Sequence, residues 1–251
     1  MKRLAAIVIT YNEEKHISDC LDSLAFADEL LVFDSFSTDK TVEIAREKGA
    51  QVLQRPFDHF AGQRNAALEA IQGIADWVLF VDADERVTPE LAAEIRAVIE
   101  SAIYVGYRIP RHNYLFGKLT EGAGWYPDYQ TRLLKVGKAH YDPERKVHEL
   151  VILDGDEGTL KEHLIHYNYA TVAQFIAKQR KYVAYDAQIL LEQGIRPKLY
   201  TYLLQPLRHF WWRFVTLKGY RDGWHGFRLS AMMAWYEFRK YWLLRSTEKE
   251  Q

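Results

Sequence analysis

The sequence has little of three things: cysteine, proline and long uninterrupted apolar segments. A single cysteine in 251 residues, Cys20, excludes an intramolecular disulfide framework and fits a reducing compartment. No segment approaches the roughly 20 apolar residues of a membrane-spanning helix, and the run at Leu4–Ile9 is too short for the apolar region of a signal peptide. With 7 prolines and a charged fraction of 27%, extended disorder is not expected. These absences predict a folded, cytoplasmic chain.

Net charge is also nearly absent, but the charges are unevenly distributed. Residues 1–170 carry 19 Lys and Arg against 28 Asp and Glu, whereas residues 171–246 carry 13 against 4. Five of the 7 tryptophans lie in the basic segment. This division indicates that the chain has two functions and that the second involves contact with an anionic surface.

Short apolar runs alternate with helical patterns in the first hundred residues. Each run is nearly continuous, as expected for strands that are covered on both faces of a parallel sheet. The predicted strands are Leu4–Thr10, Glu29–Asp34, Gln51–Arg55 and Trp77–Asp82, and the helices between them are Glu14–Ser23, Thr41–Glu47 and Ala61–Ile71. This order predicts an α/β fold with a doubly wound sheet, in which ligands bind beyond the carboxyl ends of the strands.

After residue 100 the pattern changes twice. Residues 101–170 contain strand-like pieces separated by glycine and proline turns, which predicts a mixed extension of the sheet. From Thr171 the chain has a helical pattern, with breaks near residues 194–197 and 219–226. We therefore predict a main domain over 1–170, with parts 1–100 and 101–170, and a helical extension over 171–251.

Polar residues follow three of the predicted strands at the point where each strand ends. The segments are Thr10–Glu13, Asp34–Asp39 and Asp82–Glu85. Asp82 and Asp84 are two residues apart in an extended segment, so both side chains can address one site. Crowded carboxylates repel one another unless a cation or hydrogen-bond donors lie among them, and their oxygens suit Mg²⁺ or Mn²⁺. The alternative is a purely local role, because Thr88-Pro89-Glu90 starts a helix just afterwards.

Four motifs, ITYNEE, FDSFSTDKT, GQRNAAL and VDADE, occur in order and together resemble family 2 glycosyltransferases of the GT-A fold. The resemblance covers residues 1–170. The later pieces WYPDYQTRLLK, KVHEL and LIHYNY look like a narrower group, the bacterial lipopolysaccharide inner-core β-glucosyltransferases, whose helical aromatic tail is also similar. The resemblance implies a mixed, mostly parallel GT-A sheet flanked by helices, with a nucleotide-binding part at 1–100 and an acceptor part at 101–170.

The same resemblance assigns a donor site. It implies that Thr10, Tyr11 and Glu13 contact the nucleotide and that Asp34 binds the uracil or the ribose. Arg64 would meet the uracil or the diphosphate through its fork of donors. Two bland alternatives stay open: Asp34 could instead accept hydrogen bonds from the loop that follows it, and Arg64 could be an ordinary surface arginine.

A metal site is implied at the third strand end. By the resemblance, Asp82 and Asp84 hold a divalent ion, Mg²⁺ or Mn²⁺, that is bound to the diphosphate, and Asp82 is thereby also part of the nucleotide site. His166 would complete the metal shell or touch the diphosphate. The ion would neutralise the charge that builds up as the nucleoside diphosphate departs. Glu85 is left with capping or orientation as its only roles.

Inversion at the anomeric carbon requires a base on the face opposite the leaving group. Two acids qualify, Glu149 in KVHEL and Asp128 in YPDYQ. The order of motifs in the family favours Glu149, because the base there follows an aromatic-and-arginine strand; Asp128 is the second candidate. An exposed acid on a strand edge is the alternative for Glu149.

The basic tail carries aromatic residues at helical spacing. Phe227, Ala231, Trp235, Phe238 and Trp242 fall on one stripe. Trp and Tyr beside Lys and Arg are typical of membrane interfaces, so we expect peripheral contact with the anionic inner face of the cytoplasmic membrane. The alternative is that the stripe packs against protein and the bases form a solvated face. Nucleic-acid binding is not expected, because the main domain is acidic and contains no recognition motif.

Together these features predict a metal-dependent, inverting glycosyltransferase. It would move glucose from UDP-glucose to a lipid-linked saccharide such as the lipopolysaccharide inner core. Two alternatives are transfer to polyprenyl phosphate or a peptide, and a non-catalytic nucleotide-sugar-binding subunit docked on the membrane.

Overall fold

The computed structural model describes residues 1–143 and 150–248, and its dominant feature is a large mixed β-sheet. The strands are β1 (Leu4–Thr10), β2 (Glu29–Asp34), β3 (Gln51–Gln54), β4 (Trp77–Asp82), β5 (Glu85–Val87), β6 (Gly106–Leu115), β7 (Lys118–Thr120), β8 (Asp128–Lys135), β9 (Ala139–Tyr141), β10 (Val151–Leu153), β11 (Glu157–Thr159) and β12 (Leu164–Tyr169). The helices are α1 (Ile17–Ser23), α2 (Thr41–Glu47), α3 (Phe60–Ala70), α4 (Pro89–Ser101), α5 (Val172–Glu192), α6 (Thr201–Trp211) and α7 (Gly223–Glu248). A π-helical turn at Trp212–Thr216 follows α6, and a 3₁₀ turn at Gly219–Asp222 precedes α7.

Strands β3, β2, β1 and β4 lie side by side in that order and are parallel. Alternate residues of β1 enter two different cores. Leu4, Ala6 and Val8 pack in a core that includes α1 and α4, whereas Ala5 and Ile7 pack in a core that includes α3. Because both faces of the strand are buried, its apolar run is continuous, as predicted.

The register of this parallel part brings the polar strand ends together. Thr10 at the end of β1 lies beside Asp34 of β2, and Ile9 lies beside Asp82 of β4. The acids that follow β1, β2 and β4 therefore leave the sheet at one edge.

The second part of the sheet is largely antiparallel. Strand β8 lies between β4 and β6 and runs opposite to both. Strand β5 pairs with β12, which places His166 opposite Glu85. Helix α4 then begins as predicted, with Pro89 in its first turn and the Thr88 Oγ1 accepting the Leu91 N–H at 3.2 Å.

The chain divides into two compact units. The first consists of residues 1–111 and 128–166, and the second of residues 112–127 together with the chain from 167 onward. The buried core of the second unit contains Leu115, Tyr169, Phe175, Val183, Leu229 and Tyr236. The mixed, mostly parallel sheet flanked by helices, with a helical C-terminal part, confirms the predicted α/β fold class. The domain boundary at residue 170 stays a prediction.

Helix α5 begins where the sequence predicts the change to helix. The Thr171 Oγ1 accepts the Gln174 N–H, and the Gln174 side chain accepts the Thr171 N–H, which closes a capping box. Within residues 1–143 and 150–248, no helix is both long enough and apolar enough to cross a membrane.

Candidate active site at the strand ends

The ends of β1 and β2 are joined by side-chain hydrogen bonds. The Thr10 hydroxyl donates to Asp34 at 3.1 Å, and both residues are buried. One step further, Asn12 has a left-handed backbone and its N–H donates to the Ser37 hydroxyl at 2.9 Å. Tyr11 between them is 60% exposed. These contacts connect the segments that follow β1 and β2, and they leave the Tyr11 ring exposed to solvent.

Both oxygens of the Asp34 carboxylate accept hydrogen bonds from other groups of the chain. Besides the Thr10 hydroxyl, it accepts the Ser37 N–H at 2.9 Å, the Ser37 hydroxyl and the Gln54 amide at 3.0 Å. The local hydrogen bond that the sequence left open as an alternative is therefore present. The contact between Asp34 and uracil or ribose stays a prediction, and a nucleotide would have to share these oxygens.

Asp82 faces two arginines. Arg132 donates to both of its carboxylate oxygens, one of them at 3.2 Å, and Arg64 lies 3.4 Å away. Burial opposes ionisation of Asp82, but the charges of Arg132 and Arg64 outweigh it and hold the pKa of this carboxyl well below its ordinary value. Arg64 is itself buried, with its guanidinium carbon 5.0 Å from the centre of the Phe80 ring. Arg64 is therefore not an ordinary surface arginine.

Glu85 connects the ion pair between Asp82 and Arg132 to a second arginine, Arg111. Its side chain is completely buried, accepts the Asp82 N–H at 2.9 Å, and pairs with Arg111 at 3.0 Å and Arg132 at 3.3 Å. The sequence left Glu85 without a specific role and did not single out either arginine. Arg111 and Arg132 lie in strands that also contain other polar residues, so the sequence carried no clear signal, and only strand pairing shows which acids they meet.

The structure describes one of the two candidate bases. Glu149 lies outside the described residues. Asp128 is held by Arg111, which donates to one carboxylate oxygen at 2.9 and 2.6 Å, while the Gln130 amide donates to the other at 3.0 Å. The Asp128 side chain is 26% exposed. One of its oxygens is thus fixed by a guanidinium, and the other accepts a hydrogen bond from a neutral amide.

A second group of acids lies beside Asp82 and, within residues 1–143 and 150–248, has no arginine partner. The Asp84 carboxylate lies 3.5 Å from Nε2 of His166, which β12 brings opposite the end of β4. Burial, and then the negative charges of Asp84 and neighbouring aspartates, raise the pKa of Glu13 to about 7. The strand ends therefore carry more negative charge than the chain itself compensates.

This group fits a divalent ion only with help from a ligand. Within residues 1–143 and 150–248, no three His, Cys, Asp or Glu side chains are grouped closely enough to hold a metal by themselves. A carboxylate and an imidazole are nonetheless suitable ligands for a divalent ion. Ions of the Mg²⁺ type take one or two carboxylates from the protein and complete their shell with phosphate oxygens and water. The uncompensated charge near Asp84 is consistent with such a site.

Comparisons with known proteins agree on one family. Residues 5–144 match the family described as Glycosyl transferase family 2. The lipopolysaccharide core biosynthesis glycosyltransferase LpsC of Rhizobium meliloti (strain 1021) is 31% identical over 249 residues, which cover 94% of this chain and 89% of that protein. An uncharacterized glycosyltransferase of Rickettsia bellii (strain RML369-C) is 30% identical over 258 residues, covering 97% and 86%.

One solved structure with a partial match is glucosyl-3-phosphoglycerate synthase from Mycobacterium tuberculosis, in complex with Mn²⁺, UDP-glucose and phosphoglyceric acid. The match covers 34% of each chain at 30% sequence identity, with a TM-score of 0.30.

Proposed function

Because the chain belongs to glycosyl transferase family 2, we propose that it is an inverting hexosyltransferase that uses a UDP-sugar, UDP-glucose in particular. The acceptor we propose is a lipid-linked saccharide of the lipopolysaccharide-core type, in line with the name of the Rhizobium relative. The observation that carries this proposal is the edge of the sheet where Thr10, Asp34 and Asp84 leave three parallel strands. Ligands of such sheets bind beyond the carboxyl ends of the strands.

The donor would lie along this edge with its base at β2 and its diphosphate at β4. The Thr10–Asp34 hydrogen bond fixes the floor, and the exposed Tyr11 ring can stack on uracil. Arg64 has its guanidinium held by Asp82 at 3.4 Å, so its position is set before a donor arrives. Preset charges of this kind stabilise a developing charge without reorganisation during the reaction.

Asp84 and His166 would hold a Mg²⁺ or Mn²⁺ ion, with Asp82 alongside, and the bound ion would neutralise the departing diphosphate. Glu13 lies in the same acidic environment and has a pKa raised to about 7. It is therefore the carboxyl most ready to lose a proton when positive charge arrives. Unlike Asp84, the Asp82 carboxylate orients two arginines, Arg132 and Arg64.

In the reaction, the acceptor hydroxyl oxygen would bond to the anomeric carbon as the bond from that carbon to the diphosphate oxygen breaks. The proton of the hydroxyl passes to a carboxylate on the acceptor side. Glu149 remains the first candidate for this base. Asp128 is the second; Arg111 holds one of its oxygens, and the Gln130 amide donates to the other.

The function can be tested with the purified full chain, Mn²⁺, UDP-glucose and a lipid-linked core saccharide that ends in heptose. We expect release of UDP together with a glucosylated acceptor, at least ~100-fold slower use of ADP-glucose or GDP-glucose, and loss of activity with chelator. Transfer to polyprenyl phosphate or to a peptide instead would replace the proposed acceptor. If UDP-glucose did not bind with metal present, the enzymatic proposal would be wrong.

We also propose that the chain is peripheral on the inner face of the cytoplasmic membrane, with α6 as the contacting helix. The side chains that follow i, i+3, i+4 spacing along it are apolar and strongly exposed: Tyr200 at 58%, Leu203 at 65%, Leu204 at 56%, Leu207 at 57% and Trp211 at 63%. Helices with an exposed apolar face beside basic residues lie in the membrane interface, and Arg208 lies in the last turn of α6.

The double change Leu203→Glu with Leu207→Glu is expected to weaken binding to phosphatidylglycerol vesicles at least ~10-fold, because two apolar side chains no longer enter the interface. Co-sedimentation with vesicles measures this. Ile103→Glu is the matched control, since Ile103 is 73% exposed in the first unit and should leave binding unchanged. Equal binding of the double variant and the unchanged chain would contradict the assignment of α6.

A further inference from the structure

Helices α5 and α7 of the second unit enclose a cleft of about 680 Å³. This volume is within the range of small-molecule sites. The apolar side chains that line the cleft are Ile176, Val183, Ala231, Met232 and Leu243. We call it the α5–α7 cleft. Nothing in the proposed transfer reaction requires it.

Exposed aromatic rings border the same cleft. Trp224 is 75% exposed and stacks on Phe227, with ring centres 5.1 Å apart and planes at 17°. Trp235 is 56% exposed. A group of large exposed rings beside an apolar floor marks a binding surface more often than a structural accident.

Three arginines also line the cleft, and they lack acidic partners. Among the described side chains, no carboxylate oxygen lies within 4.0 Å of Arg180, Arg228 or Arg239. Burial raises the pKa of Tyr236 in the cleft wall, and Arg180 and Arg239 act against that rise, which shows that both guanidinium groups act on one point. The Nε of Arg228 is buried without a hydrogen-bond partner. The cleft thus combines an apolar floor with uncompensated positive charge.

We propose that the α5–α7 cleft binds one anionic membrane phospholipid, with an acyl chain on the apolar floor and the phosphate on Arg180 and Arg239. Guanidinium groups match phosphate oxygens in a bidentate manner and keep their charge when partly buried. A neutral lipid would leave the arginines without a counter-charge, and a small soluble phosphate would leave the floor unused. Charge and shape together therefore select a phospholipid with a net negative charge.

The test uses the full chain and short-chain lipids below their micelle concentration, which separates a single site from adsorption to a surface. Isothermal titration calorimetry is expected to show one molecule of dioctanoyl phosphatidylglycerol per chain. Dioctanoyl phosphatidylcholine and inorganic phosphate should each bind at least ~10-fold more weakly, since phosphatidylcholine has no net negative charge and inorganic phosphate has no acyl chain.

Two variants locate the site. Arg180→Gln with Arg239→Gln removes two exposed cations and should weaken phosphatidylglycerol binding at least ~10-fold, and Ala231→Trp should abolish binding by filling the cleft. Arg221→Gln removes an exposed arginine that does not line the cleft and should change nothing. Thermal unfolding followed by circular dichroism checks that each variant folds, and the arginine pair is decisive if Ala231→Trp does not. Equal binding of the two lipids, inorganic phosphate binding as tightly as the lipid, or binding that survives the arginine changes would each overturn the proposal.

Discussion

Replacing Asp84 with asparagine is expected to lower kcat/KM for glucosyl transfer at least ~100-fold while the fold stays intact. Neutralisation of a departing diphosphate is worth several kcal/mol, and each 1.4 kcal/mol corresponds to a factor of ten in rate. Asp84 has His166 at 3.5 Å and pairs with no arginine in the part of the chain that the structure describes, so we expect its carboxylate to be available for an ion. The measurement is transfer of glucose from UDP-glucose as a function of Mn²⁺ concentration, where the variant should also require more metal.

The same change should not destabilise the chain. Asp84 is one of the charges that raise the pKa of Glu13, so its removal relieves repulsion, and the free energy of unfolding should change by less than ~0.5 kcal/mol. Asp19→Asn is the matched control, because the Asp19 side chain is 78% exposed, and its activity should be normal. A variant at Asp84 that keeps a tenth or more of the activity would exclude Asp84 from the metal site.

Asp82 is expected to behave differently from Asp84, although the sequence treats them as a pair. Removing the Asp82 carboxylate takes a counter-charge away from both Arg132 and Arg64 in a partly buried site, so stability and activity should fall together. Spacing alone shows that two acids two residues apart share a direction. It does not show that arginines from distant parts of the sequence form ion pairs with one of the two acids.

The parallel part of the fold was predictable because each of its signals is local. Continuous apolar runs identify buried strands, Thr88 and Pro89 identify a helix start, and parallel strands necessarily bring their ends to one edge. The ion pairs were not predictable, because they depend on register between distant strands. Arg111 lies beside Asp128 only because β6 and β8 pair at that register.

The tail shows a second limit of sequence patterns. The stripe predicted on α7 includes Phe227, Ala231 and Trp235, and these residues line the α5–α7 cleft. The helix with the most continuous exposed apolar face is α6, which contains Pro206. Periodicity identifies which side chains share a face of a helix, but exposure depends on which neighbouring helices cover that face.

Replacing Glu85 with glutamine is expected to lower the free energy of unfolding by about 3 kcal/mol, the low end of the usual cost of breaking a buried ion pair, because Arg111 keeps Asp128 and Arg132 keeps Asp82. Glu85 is completely buried and pairs with Arg111 and Arg132 at 3.0 and 3.3 Å. Glutamine keeps the shape and can still accept the Asp82 N–H, so the change removes the charge and little else. Arg132 keeps its contacts with Asp82, but among the described residues its buried Nε has no hydrogen-bond partner.

Urea unfolding of Glu85→Gln against the unchanged chain measures this cost, with Glu29→Gln as the matched control. Glu29 pairs with Arg3 at 2.5 Å, but the side chains are 41% and 57% exposed, so its loss should cost less than about 1 kcal/mol. Activity should fall further in Glu85→Gln than stability explains, because Arg111 holds Asp128 and Arg132 holds Asp82, and both acids belong to the proposed site. A cost at Glu85 no larger than at Glu29 would mean that the energy of desolvating this carboxylate equals the energy of its ion pairs, and Glu85 would then have no positioning role.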